Sequence, residues 1–175
     1  FTKSPSGAAY LYRLETNGTT SFLSKITPSD GQAMDWFGNS ISLYGNILAV
    51  GSYHSDPDGI ADAGAAYLYR IESNGSASLL SKITAPDKTE SDFFGISVAV
   101  SGDGNTVAVG AYYEDSNAAG INGDQTNNSG INCGAVYLFS KSGGIWSQEA
   151  YVKSSNPDPA DNFGIKVALN SNGTV

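Results

Sequence analysis

Asp92-Phe-Phe-Gly-Ile-Ser-Val-Ala-Val100, followed by Ser101-Gly-Asp-Gly-Asn105 and then Thr106-Val-Ala-Val-Gly-Ala111, decides how this chain folds. Two runs rich in Val and Ala flank an Asp-Gly pair, which supplies the positive φ that a tight hairpin turn needs. The passage therefore reads as two antiparallel strands. Working outward, the same letters return: Asp35-Trp-Phe-Gly-Asn-Ser-Ile-Ser-Leu43 lies before it and Asp161-Asn-Phe-Gly-Ile-Lys-Val-Ala-Leu169 after it. The Phe-Gly pairs begin at Phe37, Phe94 and Phe163, so the intervals are 57 and then 69 residues. A second series repeats in step: Gly7-Ala-Ala-Tyr-Leu-Tyr12, Gly64-Ala-Ala-Tyr-Leu-Tyr69 and Gly134-Ala-Val-Tyr-Leu-Phe139. The longer second interval is explained by an insertion rich in Gly and Asn, residues 117–132.

Each unit reads as four short strands. The first follows Phe-Gly. A turn at Gly45-Asn46, Asp103-Gly104 or Asn172-Gly173 leads to the second, the Ala-Val-Gly run. A long loop leads to the third, the Ala-Tyr-Leu-Tyr run. Another turn (Asn17-Gly18, Asn74-Gly75 or Gly143-Gly144) precedes the fourth, near Ser78 to Ile83 and Trp146 to Val152. Nothing reads as a helix, because Gly or Pro punctuates runs of β-branched and aromatic residues. Repetition of one motif at one place in each unit predicts blades of a β-propeller rather than a sandwich. In that reading the Phe plugs the gap between blades and the Gly lets backbones approach. The small residues Ala65, Ala99, Ala108 and Gly110 suit the place where blades converge. Asp35, Asp92 and Asp161 accept backbone N–H bonds at the turns. Carboxylates that recur once per blade are spread around a ring, unlike a catalytic pair.

Composition narrows the function. Of 175 residues only 15% are charged and 21 are Gly, which excludes a coiled coil or a disordered chain. The net charge of −8 argues against nucleic acid as a partner. No apolar run approaches the length of a membrane helix, so no membrane insertion is expected. Cys133 is the only cysteine and His54 the only histidine, so the usual zinc sets and a Cys–His catalytic pair with spare members are missing. The first residue is Phe1, which reads as a mature or excised piece.

These residues resemble the FG-GAP repeat of integrin α-subunit propellers, and more closely its bacterial extracellular relatives. The resemblance rests on Phe-Gly with Ser-Val-Ala-Val, on Val-Ala-Val-Gly-Ala and on Gly-Ala-Val-Tyr-Leu-Phe, with the loop 110–125 and the run 146–153. The proline of the name is absent, with Gly51-Ser-Tyr and Gly110-Ala-Tyr in its place. The resemblance implies an all-β fold with propeller blades of four antiparallel strands, the chain covering about three blades' worth of a ring of about seven. The divisions would be a half-blade over 1–36, a blade over 37–93, a blade with a long insertion over 94–162 and a half-blade over 163–175. The chain would start just before a third strand and stop at Val175 within a second. It would then depend on the remaining blades of the same protein or on self-association. The implied role is a non-enzymatic extracellular or cell-surface module for binding or adhesion, with a protein or glycan ligand on a cell surface or matrix. The alternatives are a structural subunit of a surface layer or filament, and an accessory domain of a secreted polysaccharide-active enzyme.

The resemblance also raises calcium as a possible cofactor. Relatives hold it in the hairpin between strands one and two, but those hairpins are too short here to carry the ligands over. A better pattern lies between strands two and three, in His54-Ser-Asp56-Pro-Asp58-Gly59-Ile-Ala-Asp62, where carboxylates alternate around a Gly. Asp56, Asp58 and Asp62 are candidate calcium ligands or else a solvated acidic turn. Glu114, Asp115 and Asp124 on the longer loop form a second, irregularly spaced set, beside Asn122 and Asn128. Tyr53, Tyr112 and Tyr113 end the second strands, where they either present a binding surface or pack between blades. Asn17, Asn74, Asn127 and Asn172 match glycosylation sequons, and three of these are also hairpin turns.

Overall fold

A computed structural model describes residues 6–173 of the chain. Strands β1 (Ala9–Leu14) and β2 (Thr20–Ile26) form a two-stranded sheet. Strands β3 (Ile41–Tyr44), β4 (Ile47–Ser52), β5 (Ala65–Ile71) and β6 (Ala77–Ile83) form an antiparallel meander in sequence order. Strands β7 (Phe94–Val100), β8 (Thr106–Ala111), β9 (Ala135–Ser142) and β10 (Ile145–Val152) form a second meander of the same order. Among the described residues the helical content is one short 3-10 turn at Pro57–Gly59. The sheets are the blades of a partial β-propeller.

The turn residues act as their chemistry requires. Asn17 and Asn74 each accept, through Oδ1, the backbone N–H and the hydroxyl of the residue two places on, Thr19 and Ser76. This turn chemistry accounts for the Asn-Gly-Thr and Asn-Gly-Ser triplets without a glycan. The expected aspartates also hold. Asp35 Oδ2 accepts the Gln32 N–H at 2.7 Å, Asp92 Oδ2 that of Thr89 at 2.6 Å and Asp161 Oδ2 that of Asp158 at 2.9 Å.

Four kinds of contact join the blades. Phe37 packs edge-on against Tyr67 and Tyr69, and Phe94 against Tyr137 and Phe139, each ring filling the space between its blade and the one before. Backbones meet where Gly64 bridges Phe94, as Gly7 bridges Phe37 and Gly134 bridges Phe163. A side chain on Gly51 would collide with the Gly95 carbonyl, so that strand position admits no Cβ. Serine hydroxyls cover the open edge of the next first strand: Ser40 and Ser42 accept the N–H groups of Val98 and Val100, both at 3.0 Å. Finally a loop aspartate of one blade accepts the hydroxyl of the third-strand tyrosine in the next, Tyr67 to Asp30 and Tyr137 to Asp87, each at 3.0 Å. Sequence reading missed this latch, although Asp30 and Asp87 occupy matching places after a proline.

One expected strand does not form. Residues 165–169 follow the third Phe-Gly but carry no ladder, and only Phe163 is bridged, to Gly134. First strands elsewhere exist by pairing with second strands, β3 with β4 and β7 with β8. Residues 165–169 have no such partner among the described residues. The second strand expected to begin near Val175 lies outside them.

Candidate functional site

The two loops between second and third strands are built on one plan. Ser55 N–H donates to Ser52 O and Glu114 N–H to Ala111 O; Gly64 N–H then donates to Ser55 O and Gly134 N–H to Glu114 O. Asp56 Oδ1 accepts the Asp62 N–H at 2.8 Å, and Asp115 Oδ1 accepts the Asn132 N–H at 2.7 Å. Asp62 and Asn132 both take left-handed backbone, with φ of 54° in each. Five residues separate the first pair and sixteen the second. The insertion therefore lies between Asp115 and Asn132.

The candidate calcium ligands each take up a local partner. Asp56 and Asp115 close their loops, Asp62 Oδ1 lies 2.7 Å from His54 Nδ1, and Asp58 pairs with Lys88 at 3.1 Å. Asp124 Oδ1 accepts the Thr126 N–H and hydroxyl. Glu114 is buried in an ion pair with Lys153 at 2.7 Å, the two side chains 3% and 0% exposed. Among the described residues no group of three or more His, Cys, Asp or Glu converges as a metal shell would require. The carboxylates of each set take part in separate local contacts, with one oxygen engaged at each of Asp56, Asp58 and Asp62.

The Glu114–Lys153 pair anchors the insertion. Ser116 N–H donates to Glu114 Oε1, and the loop then runs back along the outer strand. Lys153 N–H donates to Gly120 O, Asn122 N–H to Tyr151 O and Tyr151 N–H to Asn122 Oδ1. The insertion thus covers the outer edge of β10, which would otherwise present unpaired backbone groups. Beneath it burial pushes the Asp87 carboxyl up to about 6 and that of Asp92 up to about 7, with the neighbouring Glu114 carboxylate raising both further. Burial likewise raises Tyr137 and Tyr151. Cys133 packs buried at the end of the loop, as a small apolar group.

Above these loops runs a row of aromatic rings. Trp36 lies 6.1 Å from Tyr53, Tyr53 4.3 Å from His54, His54 5.1 Å from Phe93, Phe93 5.5 Å from Tyr112 and Tyr112 4.2 Å from Tyr113, all between centroids. Tyr53, Tyr112 and Tyr113 are thus brought together, half-buried, with Phe93 packed against all three. Burial raises the phenols of Tyr53 and Tyr112 above their ordinary range, so they remain neutral donors. Trp36 and Phe93 were not singled out by sequence. Their signal was the position between Asp and Phe-Gly, where the backbone is left-handed: φ is 58° at Trp36, 57° at Phe93 and 54° at the equivalent Asn162. Beside Trp36 a cleft of about 300 Å³ is lined by Gln32, Met34, His54, Asp56 and Asp62.

A family model for the FG-GAP repeat matches residues 20–69 and 78–139. No curated protein matches the chain. The two matched stretches run from β2 into β5 and from β6 into β9, so they take in two of the three Phe-Gly motifs, the bridging Gly64 and Gly134, and both halves of the aromatic row. The chain belongs to the FG-GAP repeat family.

Proposed function

We propose that this chain is part of a non-enzymatic extracellular module for binding or adhesion, its ligand a protein or glycan of a cell surface or matrix. The observation that carries the reading is the continuous row from Trp36 to Tyr113. Its rings come from four separate loops of two blades, and half-buried rings held rigidly by neighbours suit recognition on a stiff scaffold.

The test is a binding array of purified extracellular proteins and glycans probed with the full chain. The expected result is a reproducible ligand whose binding falls at least several-fold in Trp36→Ala and in a Tyr112→Ala, Tyr113→Ala double variant. Unchanged binding in both variants overturns the reading. A second reading, a structural subunit of a surface assembly, is favoured by a different observation: Tyr10, Tyr12, Leu14 and Phe22 of the first sheet are all more than half exposed. Electron microscopy of the concentrated protein, showing ordered polymers, would favour that role.

A further inference from the structure

The repeats provide an internal comparison at the aromatic rim. Three structurally equivalent pairs of positions, with positive φ at every member, carry Met34 and Trp36, Ser91 and Phe93, and Ala160 and Asn162. Whatever the fold requires there, it requires three times. Asn tolerates left-handed backbone with little strain, and the third unit uses it. The first unit instead places a methionine and a tryptophan, at φ of 74° and 58°, and leaves them 57% and 48% exposed. Trp36 packs on Tyr53 and His54 along one side, yet about half of it and more than half of Met34 stay open where the backbone opposes both. Strain retained at exposed side chains points to a ligand.

The surroundings specify its chemistry. Trp36 and Met34 border both the 300 Å³ cleft and a neighbouring one of about 500 Å³ that continues along Phe37, Gly38 and Asn39. Asp56 and Asp62, which line the same cleft, each commit one oxygen within the loop, Oδ1 in both cases. The second oxygen of each has no partner among the described residues. Gln32 adds an amide and His54 a ring edge. A flat apolar surface facing free carboxylate acceptors matches a sugar ring, whose C–H face stacks on an aromatic plane while its hydroxyls donate at the rim. Rings with all-equatorial hydroxyls present the flattest such face.

Resting on the proposed binding role, we propose that the cleft between the loop 32–36 and the loop 54–62 binds a β-linked glucose- or N-acetylglucosamine-type oligosaccharide. One ring stacks on Trp36 and donates hydroxyl hydrogens to Asp56 and Asp62. The two clefts that share Trp36 and Met34 accommodate neighbouring sugars of a chain.

The chain has two tryptophans and the other, Trp146, is buried, so fluorescence quenching by acrylamide reports on the cleft. The full chain is titrated with cellohexaose and chitohexaose, with calorimetry in parallel. The expected result is saturable protection of Trp36 by at least one of them. Trp36→Ala then weakens binding roughly tenfold or more, and Trp36→Phe retains most of it. Asp62→Asn, which keeps a residue suited to left-handed backbone as at Asn132, weakens it about threefold or more. Circular dichroism and unchanged Trp146 emission establish that the variants are folded. No saturable response to either hexasaccharide, equal affinity in Trp36→Ala, or protection by hexalysine alone overturns the inference. If the array finds a protein ligand that needs Trp36 while both hexasaccharides fail, this inference falls and the broader binding role stands; if the rim variants leave every interaction unchanged, both fall.

Discussion

Asp92 shows how one side chain serves the fold under an electrostatic load. Its Oδ2 accepts the Thr89 N–H and its Oδ1 the Thr89 hydroxyl, yet burial and the nearby Glu114 and Asp87 carboxylates raise its carboxyl to about 7, and Asp87 is raised to about 6. In the unfolded chain both titrate near 3.8. The folded state therefore holds extra protons between about pH 4 and 7. Their contribution to stability is present at the acid end of that window and is lost as the pH rises through 6 and 7. Asp92→Asn, which keeps an acceptor for the Thr89 N–H, is expected to flatten the dependence. Thermal melts from pH 4.5 to 8 should show the parent losing a few degrees more than the variant; parallel curves refute it. Glycine gives a second prediction at this scale. Gly95, at φ of 95°, faces the Ala65 carbonyl, where a Cβ has no room. Gly95→Ala is expected to lower stability by about 1–3 kcal/mol by overpacking, read from a urea titration.

At the scale of elements the insertion is the informative piece. Its length is loop-like, but its two ends are clamped by Asp115 and by the buried Glu114–Lys153 pair, and its middle pairs with β10. Lys153→Met leaves the Glu114 carboxylate buried and unpaired, and is expected to cost about 3–5 kcal/mol. Adding Glu114→Leu removes that charge and should recover much of the loss. Hydrogen exchange supplies the structural readout: the amides of Gly120 and Asn122, which bond to Ser154 and Tyr151, should exchange much faster in the single variant. Protection that survives Lys153→Met would show that the ladder alone holds the insertion.

At the scale of the whole molecule, blades are complete only beside neighbours. Tyr67 and Tyr137 are 2% and 0% exposed and each donates to an aspartate of the preceding blade, whereas the equivalent Tyr10 is 54% exposed. Among the described residues Tyr12, equivalent to the buried Tyr69 and Phe139, meets one other ring, edge-on, that of Phe22 in its own sheet. The first sheet therefore presents an unmatched interblade face. In sedimentation the chain alone is expected to associate with increasing concentration, and a Tyr12→Lys, Phe22→Lys double variant to shift it to monomer. A parent that stays monomeric at high concentration would contradict this.

The amino-acid sequence by itself determined the strands, their order within a blade and the aspartates that cap the turns, because each depends on residues close in the chain: alternation, an Asx turn, a Gly that can take positive φ. It also showed the glycines and phenylalanines that join blades, because repetition exposes any position under a shared constraint. The tertiary structure alone decided what the acidic residues do. Glu114 reads as a loop carboxylate until Lys153, 39 residues away, is seen to meet it in a buried ion pair. The aromatic rim was equally hidden, since Trp36, Tyr53, Phe93 and Tyr112 lie on different loops. Only the packing of one blade on the next, which carries no local code, brings their rings within contact.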